Sequence, residues 1–269
     1  WRKYSSCFKI KYFMPLISKL YFSPVKSLSF QPVNQCKIIK HIGIKYDREI
    51  AFTRMADFKF AKELETNSST RNHKDFLSLK NTITLNKYSF YREEDKLTMY
   101  LKDKKIIEIN LQNKNEHILL CEKLAEIEEQ IKTPTYLLQN KEFPFFDTTH
   151  SNETHNTISL INLNSIKDLS KNLNQEIEYE RFRGNIYIEN LNPWKEREWI
   201  GKIVTINEVK FIVDSHIPRC SATNLKPHTD INTINLPLEI KKIYNHSDMG
   251  VYLKPQNNGV IQIDDRIYV

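Results

Sequence analysis

The sequence predicts a mainly β protein with a few helices, organised as two β domains. Three observations carry this. Apolar residues cluster or alternate in short runs across residues 16–111, with turn-forming residues between them, as expected for antiparallel strands in a barrel or sandwich. One stretch, NKNEHILLCEKLAEIEEQIK, switches to a helical period. Beyond residue 156 the short apolar runs resume and continue to the last residue.

In the first half, strands are expected at LISKLYF, CKIIKHI, EIAFTR, NTITL, KLTMYL and KKIIEIN. Each fits a length of about 4–7 residues with period-two or continuous apolar character. The polar stretch 63–74 reads as a loop. Leu120, Leu124, Ile127 and Ile131 then form one apolar stripe with Glu-rich positions between them, so a helix is expected over 114–132, stopped by Thr133-Pro134. Cys121 lies beside that stripe and reads as a core thiol. The segment FPFFDTTHSNETHN reads as a loop.

In the second half TISLIN reads as a strand, with Ser165 opening a short helix through Leu173. NIYIE is a strand. KIVTINEVKFIV is a hairpin turning at Asn207-Glu208, where Asn tolerates the left-handed conformation. LPLEIKKIY is a helix, and MGVYLKP, GVIQI and RIYV are closing strands. The domains are expected at 14–112 and 113–269, with 114–132 as a helical junction. The basic segment 1–13 reads as an extension ahead of a start at Met14, with a targeting arm as the other reading.

Composition narrows the function. With 269 residues, 40% of them hydrophobic, and 13 Tyr, 14 Phe and 3 Trp, wholesale disorder is excluded. No apolar run reaches the ~20 residues of a membrane span. The formal charge is +7, but it is spread along the chain and no Lys/Arg run reaches about 5–8 residues, so nucleic acid is not expected as principal partner. Cys7, Cys36, Cys121 and Cys220 stand far apart. They form neither a CxxC pair nor an iron–sulfur ligand set, and they fit free thiols in a reducing, cytoplasmic setting.

Two blocks carry candidate chemistry. In IPRCSATN, Cys220 follows a strand, beside Arg219 and near His216. Neighbouring cations favour the thiolate, a nucleophile or soft metal ligand; an inert buried cysteine is the other reading. A Cys220–His216 hydrolase lacks a third member. In RFRGN, Arg181 and Arg183 would share one face if the segment is extended and could grip one anion, with Gly184 permitting close approach; a charged surface strand is the alternative. Lys26 and Ser27 in SPVKSL, and Asp47-Arg48 in KYDRE, are individually weak anion-binding candidates.

Taken in order, SPVKSL, GIKYDREIAFTR, ISLINLNSIKDL, RFRGNIYIENLNPWKEREWIGK, IPRCSATNLKPHT and HSDMGVYLKPQNNGVIQIDD resemble the MOSC family, the molybdenum cofactor sulfurase C-terminal domain proteins, here with the N-terminal β-barrel domain that often precedes MOSC. The resemblance runs over nearly the whole chain and is most specific at RFRGN and PRCSAT. It implies a β-barrel MOSC fold preceded by a smaller β-barrel, and a molybdenum–molybdopterin cofactor with Cys220 as catalytic thiolate and metal ligand. It implies that Lys26, Ser27 and Arg48 contact the pterin and its phosphate, that Arg181, Arg183 and Asn185 anchor it, and that Ser165, Arg219 and Tyr252 line the site. The chain departs from the family pattern at Asn207 and at Asp264-Asp265, turn positions where Asn and Asp replace the usual glycine.

Members similar to the mitochondrial amidoxime-reducing component reduce N-hydroxylated compounds, so the resemblance implies an oxidoreductase acting on such compounds. The sequence has no iron–sulfur ligand set, no GxGxxG and no flavin motif, so electrons are expected from a separate ferredoxin- or cytochrome-like donor and its reductase. The alternative is a sulfur carrier holding a Cys220 persulfide during cofactor maturation, because fused family members attach to a cysteine desulfurase. Pyridoxal phosphate binding is a family-level property of that fused desulfurase, and no such domain is identifiable here.

Overall fold

The computed structural model describes residues 14–54, 56–146 and 158–269. Along the chain these form β1 (Leu16–Phe22), β2 (Gln31–Val33), β3 (Gln35–Ile39), β4 (Gly43–Ile44), β5 (Ile50–Phe52), α1 (Phe58–Thr66), β6 (Tyr88–Glu93), β7 (Lys96–Leu101), β8 (Lys104–Asn110), α2 (Lys114–Ile127) and β9 (Leu137–Gln139). There follow β10 (Ile158–Asn162), α3 (Leu163–Leu173), β11 (Ile186–Glu189), β12 (Ile203–Ile206), β13 (Val209–Pro218), α4 (Leu236–Tyr244), β14 (Asp248–Pro255), β15 (Gly259–Gln262) and β16 (Ile267–Tyr268). The protein is mainly β, as predicted.

The largest sheet has eight strands in the order β16-β12-β13-β14-β10-β11-β1-β2. Its pairs are antiparallel except β10 with β11, which run parallel. Among the described residues it does not close as a barrel. One isolated bridge, Leu16 to Arg266, brings β1 against the turn before β16, supported by Ile17 N–H donating to the Asp265 carbonyl at 2.9 Å. Asp264 N–H donates in turn to the Ile17 carbonyl at 2.9 Å, and Ile267 N–H to the Pro15 carbonyl at 2.8 Å.

Alternation places Leu20, Val204, Phe211, Val213, Val251 and Leu253 in the core of this sheet, each worth roughly 1.5–3 kcal/mol on burial. A second core lies under β6-β7-β8 and α2, built on Phe90, Leu97, Met99, Leu120 and Leu124 with Cys121 among them, so the core reading of that thiol holds. Pairing crosses the sequence halves: β1 joins β11, and β3 joins β15.

Four local readings need correction. NTITL is not a strand; residues Ile83–Lys87 form a 3-10 helix, because the Asn81 side chain and the Ser78 carbonyl close a turn immediately before it. The stretch 63–74 is not a loop. It holds the second half of α1, capped by Asp57 and seated on Ala61 and Leu64, followed by two 3-10 turns. Only Ala61 and Leu64 of that helix are buried, too few to stand out among polar neighbours. The helix expected over 114–132 ends at Ile127, where Glu128 turns extended and its carboxylate accepts from Tyr88 Oη at 2.7 Å. The hairpin arm β6 was unread because Arg92 occupies an inward position in its alternation.

The turn residues behave as read. Asn207 (φ 52°) closes the β12–β13 hairpin and Asp264 is also left-handed, so Asn and Asp do work that glycine usually does. Glycine is required at Gly250 (φ 83°), where a Cβ would run into the Leu160 carbonyl oxygen and come within 2.9 Å of Ile161 Cγ1. Gly250→Ala is therefore expected to cost about 2–4 kcal/mol, read as a lower midpoint in urea unfolding; an unchanged midpoint contradicts the packing.

Candidate functional site

The strand ends bring separate pieces of sequence to one open cleft. Lys26 and Ser27 come from the segment after β1, Arg48 from the turn before β5, and Arg183 and Asn185 from the link into β11. Arg219 and Cys220 follow β13, and Tyr252 stands on β14. The cleft encloses about 170 Å³ and opens to solvent at its mouth.

Eight of the ten candidate residues thus line one cavity, and two do not. Ser165 is fully buried: its hydroxyl donates to Glu196 Oε1 at 2.7 Å and accepts from Trp194 N–H at 2.8 Å. It anchors the loop before β12 to α3. Arg181 is also buried, spanning Glu178 Oε2 (2.6 Å), the Asn224 carbonyl (3.0 Å) and Thr233 Oγ1 (2.8 Å). The expected shared face of Arg181 and Arg183 needed an extended segment. Tyr179–Phe182 is instead a 3-10 turn, and Arg183 (φ 53°) is left-handed, so the two side chains diverge.

Arg183 reaches the cleft, donating to the Leu28 carbonyl. Its guanidinium lies 4.9 Å from the Phe30 ring centroid, and that of Arg48 lies 5.2 Å from the same ring. Burial, then the like charge of Arg48, pushes the Arg183 guanidinium down to about 9, so it stays charged at neutral pH. Burial likewise lowers Arg219, whose guanidinium donates to the Met249 carbonyl and, at 2.8 Å, to the Phe182 carbonyl. Lys26 Nζ donates to the Phe145 carbonyl at 3.1 Å. Crowded, partly desolvated cations of this kind are relieved by a bound anion.

Behind them lies Asp47, fully buried. Its carboxylate accepts from Ser23 N–H (2.7 Å) and Asn185 Nδ2 (3.3 Å) and pairs with Arg48. Burial pushes its carboxyl upward, against the pull of Arg48. Asn185 is committed to the scaffold: its amide oxygen accepts from Ser159 N–H and Oγ, and its amide nitrogen also donates to the Tyr21 carbonyl.

Cys220 is half-buried and stands immediately before a 3-10 turn at Ser221–Asn224, its carbonyl held by Thr223 N–H and Oγ1. No group of three or more metal-ligating side chains exists among the described residues. A metal in this cleft would therefore bring most of its ligands on a cofactor, with Cys220 adding one soft donor.

The cleft also contains residues that the sequence did not single out. His73, Ser78 and Lys80 stand on the wall after α1, with Phe146, Ser159 and Thr223 elsewhere. Thr223 had a signal, lying three residues beyond Cys220, one 3-10 turn away. The first three lie in or beside a segment read as polar loop and carried none.

Residues 147–268 match the family model of the MOSC domain. That stretch holds Arg183, Asn185, Arg219, Cys220 and Tyr252, while Lys26, Ser27 and Arg48 come from outside it. Among solved structures, the chain is similar to the YuaD protein from Bacillus subtilis, at 8% identity over 95% of this chain and 94% of that one, with a TM-score of 0.42. It is also similar to YiiM from Geobacillus stearothermophilus, at 15% identity over 41% of this chain and 52% of that one, with a TM-score of 0.34. No curated protein matches.

The thiols differ sharply in environment. Burial pushes Cys36 and Cys121 up to about 12, so both stay protonated and shielded at neutral pH. In a Cys7→Ser background, one thiol is expected to react with a disulfide reagent such as DTNB in the folded protein. Cys220→Ser should abolish that reaction, and persistence of the signal would contradict the assignment.

Proposed function

We propose that the cleft binds a molybdenum–molybdopterin cofactor, with Cys220 as the protein thiolate on the metal. We further propose that the protein is a cytoplasmic oxidoreductase reducing N-hydroxylated compounds with electrons from a separate ferredoxin- or cytochrome-like donor and its reductase. The observation that carries the reading is the convergence of one half-buried thiol and the cations Lys26, Arg48, Arg183 and Arg219 on one cleft within and beside the MOSC match.

The residues present fit such a group. The cationic wall suits an anionic phosphate, and Arg48 and Arg183 offer planar guanidinium forks. The thiol suits a soft metal that already holds sulfur ligands. When bound, the cofactor would supply the two-electron change that reduces R–NHOH, with two protons, to R–NH2 and water. The chain's own part is to bind and orient. Arg183 and Arg48 hold the phosphate, the Phe30 and Phe146 rings against Arg48 keep those cations from free rotation, and the Thr223 contacts fix the backbone that presents Cys220. Tyr252 lines the same space with its phenol.

The half-exposed Cys220 also favours the second reading, a sulfur carrier with a Cys220 persulfide. The two separate by metal content and turnover. Protein purified from a host that makes molybdopterin is expected to hold about one molybdenum, lost in Cys220→Ala. Arg183→Ala should reduce pterin retention about ten- to a hundred-fold, the worth of a charge-assisted contact. Arg181→Ala should instead lower stability, since it removes buried contacts to Glu178, the Asn224 carbonyl and Thr233 Oγ1. Equal molybdenum in wild type and Cys220→Ala overturns the ligand assignment.

Electron supply gives a second test. The loaded protein is expected to reduce an N-hydroxylated substrate with reduced viologen, and with NADH only after a reductase and a ferredoxin or cytochrome are added. NADH-driven turnover by the isolated chain overturns the separate-donor reading. Bound molybdenum with no viologen-driven turnover favours the carrier.

A further inference from the structure

Arg48 sits in a turn whose backbone is unfavourable for its sequence. Tyr46 (φ 73°) and Arg48 (φ 55°) are both left-handed without being glycine, a backbone that L side chains adopt at a cost. Such a turn persists only where its surroundings over-determine it. Both ends of this one are gripped by a single side chain from a distant hairpin.

Glu49 closes the turn from within: its Oε1 accepts from Tyr46 N–H at 3.0 Å. Its other oxygen, Oε2, accepts from Arg92 Nη1 at 2.8 Å, in an ion pair whose side chains are 0% and 5% exposed. The same Arg92 guanidinium lies 4.1 Å from the Tyr46 ring centroid. Arg92 is itself fixed. Its Nε donates to the Glu94 carbonyl at 2.8 Å, and its backbone exchanges two hydrogen bonds with the Gln31 side chain. Arg92 therefore holds residues 46 and 49 at once, and the two residues between them are Asp47 and Arg48.

We propose that the buried Glu49–Arg92 pair is the positioning device for Arg48: it sets the turn that aims this guanidinium into the cleft, without touching the ligand. This deepens the anion-binding reading of the cleft and rests on it for its functional consequence. Arg48 itself also meets the Ser23 carbonyl, Phe145 N–H and the Phe30 and Phe146 rings. The other charged groups on the turn are the Asp47 carboxylate, paired with Arg48, and Lys45, whose Nζ lies over the Tyr46 ring at 4.4 Å. Neither links the two ends of the turn.

The test separates positioning from plain stability. Removing one partner alone strands a buried charge and endangers folding, so the main variant is the neutral double Glu49→Gln/Arg92→Gln. With arginine side chains labelled with 15N, the Arg48 Nε–H resonance is expected to move toward the solvent-exposed value in the double variant, while that of Arg219 stays in place. An Arg48 resonance unchanged in the folded double variant overturns the proposal.

The second arm measures inorganic phosphate binding by calorimetry in a mutant cycle. The double variant should weaken phosphate binding about five- to tenfold when Arg48 is present and less than about twofold in an Arg48→Ala background. Equal losses in both backgrounds mean that the pair does not act through Arg48 and overturn the proposal. If the resonance moves but wild-type protein binds no phosphate, the positioning stands and the anion-binding reading of the cleft fails.

Discussion

Much of the site hangs on one buried carboxylate. Asp47 accepts from the backbone where β1 ends, from the Asn185 amide where β11 begins, and from the Arg48 side chain at the cleft. An ionised carboxyl in such a dry place is costly unless its lone pairs are satisfied, and here three donors from three stretches of chain meet that need. Satisfying the charge forces those stretches together. The same Asn185 then ties β10 through Ser159, so the neighbouring strands β10, β11 and β1 are joined beside the cleft by one network.

The cleft walls show what that arrangement permits. Ser27, Arg48 and Arg183 all have left-handed backbones, a conformation non-glycine residues adopt mainly where the fold compels them. The two arginines are locked by neighbours: Arg48 N–H donates to the Ser23 carbonyl, Phe145 N–H to the Arg48 carbonyl, and Arg183 to the Leu28 carbonyl. Strain and desolvated charge are gathered at one place, while the sheet beside it is packed from unstrained Val, Ile, Leu and Phe.

The parts legible from sequence were those written in a short window. Strand alternation in LISKLYF or KIVTIN, the helical run LPLEIKKIY and left-handed Asn207 all depend on neighbours a few residues away. The site residues became legible through the order of blocks rather than through any local rule, since a Lys-Ser or Asp-Arg pair carries little information alone. What failed was geometry that depends on the rest of the fold. The 3-10 turn before Arg183 separated two arginines that a strand would have aligned. Ser165 looked available until Glu196, also buried, came to meet it. Arg92 broke the apolar alternation of β6 because its partner Glu49 lies in another part of the chain.

The crossing of the sequence halves has a consequence for how the protein comes into being. β1 cannot complete its pairing until β11 exists, and β3 has no partner on that edge until β15 has been made. As the polypeptide leaves the ribosome, β1 and β3 therefore present open edges and apolar faces until those partners have been made. Pairings this distant in sequence must first overcome loop-closure entropy, which makes assembly slow. The hairpin β6–β7–β8 with α2 has its partners close by and can form early, while the main sheet, and with it the cleft, forms only once β11 and β14 are in place.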